Sequence, residues 1–175
     1  LRDIQAIAGS ASGVAWCPTS NLRTGSGVAP VRALLNAGAH VGLGVDGTAS
    51  NDGSNLLAEA RMGMLVARLH GPTAVSAREA LRVATRGGAS CLGRDDIGSL
   101  EVGKRGDVAL FPVDGLEFAG AEADLVAALV YCDTPRVRDL FVEGRPVVRA
   151  GRLTHADEDA IAERGRRIGR RIAEQ

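Results

Sequence analysis

Aromatic residues are scarce in this 175-residue chain, which has one Trp, one Tyr and three Phe. That excludes a stacking platform for single-stranded bases, which needs several exposed rings. Net charge is missing too, with 21 basic and 21 acidic side chains. A balanced chain has no field to steer nucleic acid or an anionic membrane, so neither is expected as a partner. The three cysteines, Cys17, Cys91 and Cys132, stand far apart with no Cys-x-x-Cys pair, so a reducing compartment, the cytoplasm, is expected. No apolar run approaches the roughly 18 residues of a membrane span. The opening LRDIQAIAGS lacks an initiator Met and the basic and apolar regions of a signal peptide, and reads as a chain entered in mid-helix.

What is present suffices for a packed core: 45% of residues are hydrophobic and 24% charged. Residues 13–17 form a short apolar run stopped by Pro18, and a turn-rich loop, PTSNLRTGSG, follows. From Pro30 to Ala37 the spacing predicts a helix, with Val31, Leu34 and Leu35 on one face and Gly38 as its stop. His40 to Val45 is apolar and glycine-punctuated, as in a buried parallel strand. A polar loop, DGTASNDGSN, leads to a helix expected over 56–69, and Ser76 to Glu79 is a capping box opening another that runs to 92. This strand–loop–helix rhythm is that of a parallel α/β sheet or barrel. After Gly93 the texture changes. Short alternating strands are expected within 97–113 and a helix over 121–131. Two strands are expected around the hairpin Glu143-Gly144, another turn at Ala150-Gly151, and an amphipathic helix over 155–175.

Gly42-Leu43-Gly44-Val45-Asp46-Gly47 has the spacing of a dinucleotide-binding loop. In that motif the glycines follow the strand and open a helix; here they lie inside the strand, and the next helix begins eight or so residues later. Asp46 is the better clue. It ends an apolar strand and faces a Gly/Ser/Asn loop, the position from which barrel residues do chemistry. A carboxylate there can bind a cation and take a proton from metal-bound water, or simply cap a turn; the local pattern leaves both open.

Two loops taken together are more specific. Cys17-Pro18-Thr19-Ser20-Asn21, with Gly25-Ser26-Gly27 and Pro30, precede Val45-Asp46-Gly47-Thr48-Ala49-Ser50-Asn51-Asp52. This arrangement resembles the amidohydrolase superfamily, in its cytosine/guanine deaminase and triazine hydrolase branch. Within that branch it is most similar to the 8-oxoguanine deaminases, a group often described as ethylaminohydrolase-like. Residues 80–89, ALRVATRGGA, are similar to the family's helix after the barrel; 98–107, GSLEVGKRGD, to its return into a β-sandwich; and 142–145, VEGR, to the sandwich's closing hairpin.

The resemblance implies an α/β fold, the C-terminal portion of a metal-dependent (β/α)8 barrel with a small β-sandwich domain and a C-terminal helix. Residues 1–93 would hold the last barrel strands and helices, 94–153 the sandwich portion and 154–175 the helix. It implies that Asp46 follows the eighth strand as metal ligand and catalytic proton shuttle, with 13–17 as the seventh strand. Asn21, Thr48, Ser50 and Asn51 would sit at the mouth of the site as weaker, substrate-binding candidates, since such side chains more often bond their own loop. Family members often carry His before the Cys-Pro, where this chain has Trp16; an in-strand side chain facing the barrel exterior carries no chemistry. The implied cofactor is one divalent metal ion, zinc first and iron second. The implied partners are a small heterocyclic substrate, the remainder of the chain's own barrel and further copies of the chain.

The implied activity is hydrolytic deamination of an amino-substituted purine, pyrimidine or triazine, such as 8-oxoguanine, with release of ammonia. Two alternatives stand beside it: an amidohydrolase that opens a cyclic amide, and a non-catalytic C-terminal module associating with a partner subunit. The family's His-x-His pair, its two further histidines and its glutamate have no counterpart here. His40, His70 and His155 stand at no ligand spacing and read as structural or surface residues, Cys17 as a small buried filler, and the tail arginines as a solvated helix face. A barrel needs about 250 residues. The chain is therefore expected to be the C-terminal part of a longer enzyme.

Overall fold

Two short strands carry the first half of the chain. In a computed structural model, which describes residues 2–72, 74–133 and 135–174, β1 (Gly13–Trp16) and β2 (His40–Leu43) pair in parallel, Gly13 opposite His40 and Trp16 opposite Leu43. Parallel strands cannot be joined by a tight turn. The crossover here holds α2 (Pro18–Arg23) and α3 (Val31–Asn36), and α1 (Arg2–Ala8) precedes β1. Because the strands run the same way, the loops after Trp16 and after Leu43 emerge at the same end.

Side chains alternate across the strand pair. One face carries Trp16 and Val41 into a cluster with Val31 and Leu34 of α3, Met64 of α4 (Leu56–Ala67) and Ala80 of α5 (Ala77–Arg82). Helix α4 starts cleanly because the Asn55 side chain accepts from the N–H groups of Leu57 and Ala58 at 3.0 and 3.2 Å. The opposite face has Gly13 and Gly42, where a Cβ would fall 2.8 Å from Cys91 Cα and 3.0 Å from Gly88 Cα of α6 (Gly88–Cys91). The expected capping box is present: Ser76 Oγ accepts from Glu79 N–H and a Glu79 oxygen accepts from Ser76 N–H.

Several expectations need correction. Residues 18–23 form α2 where a loop is expected, because Pro18 sits in the first turn, its ring presets φ, and its missing N–H is not needed there. The helix expected over 76–92 is widened into a π-turn at Val83–Gly87, ending on Gly87, where a Cβ would collide with Val41 O. The strand expected over 40–45 stops at Leu43, and that over 13–17 at Trp16. Within 97–113 only β3 (Val108–Leu110) is a strand; Gly98 and Gly103 take left-handed φ of 85° and 91° and break any earlier ladder. The helix expected over 56–69 closes as α4 at Ala67 with a 3-10 turn to His70. The one expected over 121–131 is a 3-10 turn followed by α7 (Leu125–Tyr131), capped by Asp124.

The chain divides into two compact units, Leu1–Lys104 with Val113–Thr134, and Arg105–Pro112 with Pro135–Gln175. The second holds an antiparallel sheet in the order β3, β4 (Asp139–Val142), β5 (Arg145–Arg149) and β6 (Arg152–Leu153). Both turns read from the sequence are there, Glu143-Gly144 and Ala150-Gly151, each with two left-handed residues as a tight hairpin requires. The second turn leads into β6, a third strand where two were expected. Helix α8 (Glu158–Ala173) follows; Gln175, in the helix expected to 175, lies outside the described residues. No helix among the described residues is long and apolar enough to cross a membrane.

Candidate functional site

Helix α2, which follows β1, and the loop leaving β2 meet at Asp46. Its backbone is left-handed, φ 62°, a conformation Asp tolerates better than most residues, and it ends the chain's run beyond β2. Its carboxylate is exposed but well held. Asp46 Oδ1 accepts from the N–H of Gly47 at 2.8 Å, and Oδ2 accepts from Ser20 Oγ at 2.6 Å and faces Ser50 Oγ at 3.3 Å. Ser20 Oγ also lies 2.9 Å from Ser50 Oγ. Hydrogen bonds from Ser20, then Gly47, hold the Asp46 carboxyl below its ordinary range, with a smaller contribution from Ser50.

Beneath this lies Glu59, on the first turn of α4 and 2% exposed. One of its oxygens accepts from the N–H of Thr19 at 2.9 Å, and the other from Asn51 Nδ2 at 3.0 Å. Asn51 is itself buried, and its N–H donates to Gly47 O at 3.0 Å. Arg23 of α2 pairs with Asp52 on the surface above. Cys17 is half-buried with its Sγ 2.9 Å from where a Cβ on Gly44 would lie. Burial pushes its thiol pKa up, and the nearby charges of Asp46 and Glu59 add to that, which suits a neutral filler.

Of the residues singled out in the sequence, the structure brings Asp46, Ser50 and Asn51 into one network. Asn21 stands outside it; its backbone N–H donates to Cys17 O at 2.9 Å and its carbonyl accepts from Ser26 N–H at 2.8 Å. Thr48 is exposed on the turn between Asp46 and Ser50. His40 stands at the amino end of β2 with Nδ1 2.5 Å from Ser90 Oγ, at the other end of the strand from Asp46. Sequence reasoning passed over Ser20 and Glu59. For Glu59 a signal existed: it lies four residues before Gly63 and next to Ala60, on the side of α4 that the apolar spacing buries.

As a metal site this network is partial. A carboxylate has about four lone-pair positions, so with one N–H on Oδ1 that oxygen still has a position for a cation or a proton. Among the described residues, no three His, Cys, Asp or Glu side chains are grouped to hold a metal ion. Asp46 suits a hard or borderline cation as one donor of several.

A sequence model of the amidohydrolase family matches residues 3–147. The 8-oxoguanine deaminase of Pseudomonas aeruginosa is 42% identical over 166 residues, covering 94% of this chain and 37% of that protein. Among solved structures, an adenosine deaminase from Xanthomonas campestris with bound zinc superposes with a TM-score of 0.92 at 33% identity, over 99% of this chain and 40% of that one. Atrazine chlorohydrolase from Arthrobacter aurescens TC1, complexed with zinc, superposes with a TM-score of 0.87 at 38% identity, over 93% of this chain and 37% of that one. The chain thus spans about two-fifths of the length of these relatives.

Proposed function

The chain belongs to the amidohydrolase family, and we propose that it supplies Asp46 to a metal-dependent hydrolytic deaminase of amino-substituted heterocycles, 8-oxoguanine or a related purine, pyrimidine or triazine. In this reading β1 and β2 are the last two strands of a (β/α)8 barrel, the four-stranded sheet is part of a β-sandwich, and the rest of the barrel is supplied from outside these residues. The observation that carries it is the Asp46 carboxylate, exposed just beyond the carboxyl end of β2 and held by donors from helix α2 and from its own loop.

Asp46 would hold one divalent ion, zinc by analogy with the zinc-bound relatives, together with donors from the remainder of the barrel. Such an ion would supply Lewis-acid activation of the attacking water. Hydrolytic deamination exchanges the ring C–NH2 for C–OH, consuming water and releasing ammonia. Asp46 takes a proton from the water at a carboxylate oxygen and returns it to the departing amine. Ser20 and Gly47 keep that carboxylate ionised and aimed while the proton is away from it. Thr48, exposed two residues after Asp46, would be a hydroxyl that meets the heterocycle, while Ser50 and Asn51 would serve the loop through the bonds they make within it.

The test uses the full-length enzyme and measures ammonia released from 8-oxoguanine, guanine, cytosine and aminotriazines. Asp46→Asn keeps the fold and loses most turnover on whichever ring is accepted. Near-normal turnover by that variant would sink the assignment.

A further inference from the structure

Glu59 is a buried carboxylate for which the proposed reaction has no use, and its two hydrogen bonds go to the two segments that meet at Asp46, helix α2 after β1 and the loop after β2. Following them outward gives two chains of contacts. Glu59 accepts from the N–H of Thr19, and the next residue, Ser20, donates to Asp46 Oδ2. Glu59 also accepts from Asn51 Nδ2; Asn51 N–H holds Gly47 O, and Gly47 N–H donates to Asp46 Oδ1. Each oxygen of Asp46 is therefore held by a residue one link removed from a hydrogen bond to the same buried side chain: Ser20 follows Thr19 in the chain, and Gly47 is bonded to Asn51. Thr19 of α2 and Glu59 of α4 are 40 residues apart, so the link between the two segments is tertiary, with no local substitute.

We infer that Glu59 is a positioning residue, a clamp that sets the separation of the Thr19–Ser20 and Gly47–Asn51 segments and thereby aims the Asp46 carboxylate. The inference rests on Asp46 being the catalytic carboxylate. A carboxylate suits the task because both partners are N–H donors, and one planar group offers each an oxygen. A glutamine in the same place has one acceptor oxygen and one NH2 group, which would confront a donor.

In the full-length enzyme Glu59→Gln leaves one donor facing an amide NH2, and Asn51→Asp alone sets two carboxylates against each other. Combining the two substitutions restores the pattern with roles exchanged: the amide introduced on α4 accepts from Thr19 N–H and donates to the carboxylate introduced in the loop. Since a misplacement of about 1 Å at a reacting group can cost about 100-fold, each single variant is expected to lose about 10- to 100-fold in kcat with KM within about threefold. The double variant recovers most of that loss. Amide hydrogen exchange across residues 46–52, followed by mass spectrometry without substrate, quickens by about tenfold in the single variants and slows again in the double. Unchanged kcat in folded Glu59→Gln, or no recovery in the double variant, overturns the clamp. Asp46→Asn assayed alongside separates the two ideas. If it retains turnover, the catalytic role of Asp46 fails, and the exchange measurement still decides whether Glu59 holds the loops.

Discussion

Ser20 Oγ donates to Asp46 Oδ2 over 2.6 Å, between residues 26 apart in the chain. The bond closes the gap between the helix that follows β1 and the loop that follows β2. It is also the largest cause of the lowered pKa of Asp46.

Removing that donor with Ser20→Ala raises the Asp46 pKa toward the ordinary aspartate value of 3.8. The sign follows from linkage. A carboxyl depressed in the folded state contributes stability above its unfolded pKa and loses it as pH falls through the folded value. The variant therefore loses less stability on acidification than the parent. Carboxyl-carbon NMR titration checks this directly, and an unmoved midpoint would refute it.

Gly63→Ala should destabilise the first unit. A Cβ on Gly63 would fall 2.6 Å from Trp16 Cη2 and 3.0 Å from Pro18 Cγ, inside the packed cluster. Overpacking of this kind costs about 1–3 kcal/mol. Trp16 is the only tryptophan among these 175 residues, so urea unfolding of this chain followed by its fluorescence reports the change at the site itself. A denaturation midpoint equal to the parent's would count against the packing described.

Ser76→Ala removes the hydroxyl half of the capping box on α5. The expected loss is about 1 kcal/mol of unfolding free energy, read from denaturant midpoints at neutral pH. A Ser76→Thr variant, which keeps a capping hydroxyl, should lose less than half as much.

Glu79→Gln should be costly at neutral pH and nearly silent in acid. Burial pushes the Glu79 carboxyl up, but hydrogen bonds from the Ser76 N–H, Arg32 and the Ser76 hydroxyl, with the charge of Arg32, outweigh it and hold the group below its ordinary 4.5. Its stabilisation is complete above that value and fades as pH falls through the folded one. Urea melts of parent and variant at neutral pH and below 4.5 measure the difference. A gap that stays constant with pH would show that the ionised group is not its source.

Elements whose signals are local were legible in the sequence. The Ser76–Glu79 box, the Gly38 stop and the hairpins at Glu143-Gly144 and Ala150-Gly151 each depend on neighbouring residues, and each stands where it was read. Failures occurred where contact with distant residues decides the outcome. Helix α2 is filled with turn-forming residues, and its first-turn N–H at Thr19 finds its acceptor on Glu59, 40 residues away; the π-turn at Val83–Gly87 is seen only beside Val41.

The same division runs through the site. Sequence alone determined that a strand opens at His40 and that Asp46 follows it before a polar loop, although the strand closes at Leu43 and not at Val45, and it carried the likeness to the amidohydrolases that the comparisons bear out. Only the tertiary structure decided what holds Asp46. Ser20 reaches it across 26 residues, and Glu59 reaches Thr19 across 40. Hydrogen bonds between segments so far apart leave no periodicity in the chain; they exist because parallel strands bring their following loops to one end, where a buried carboxylate finds both.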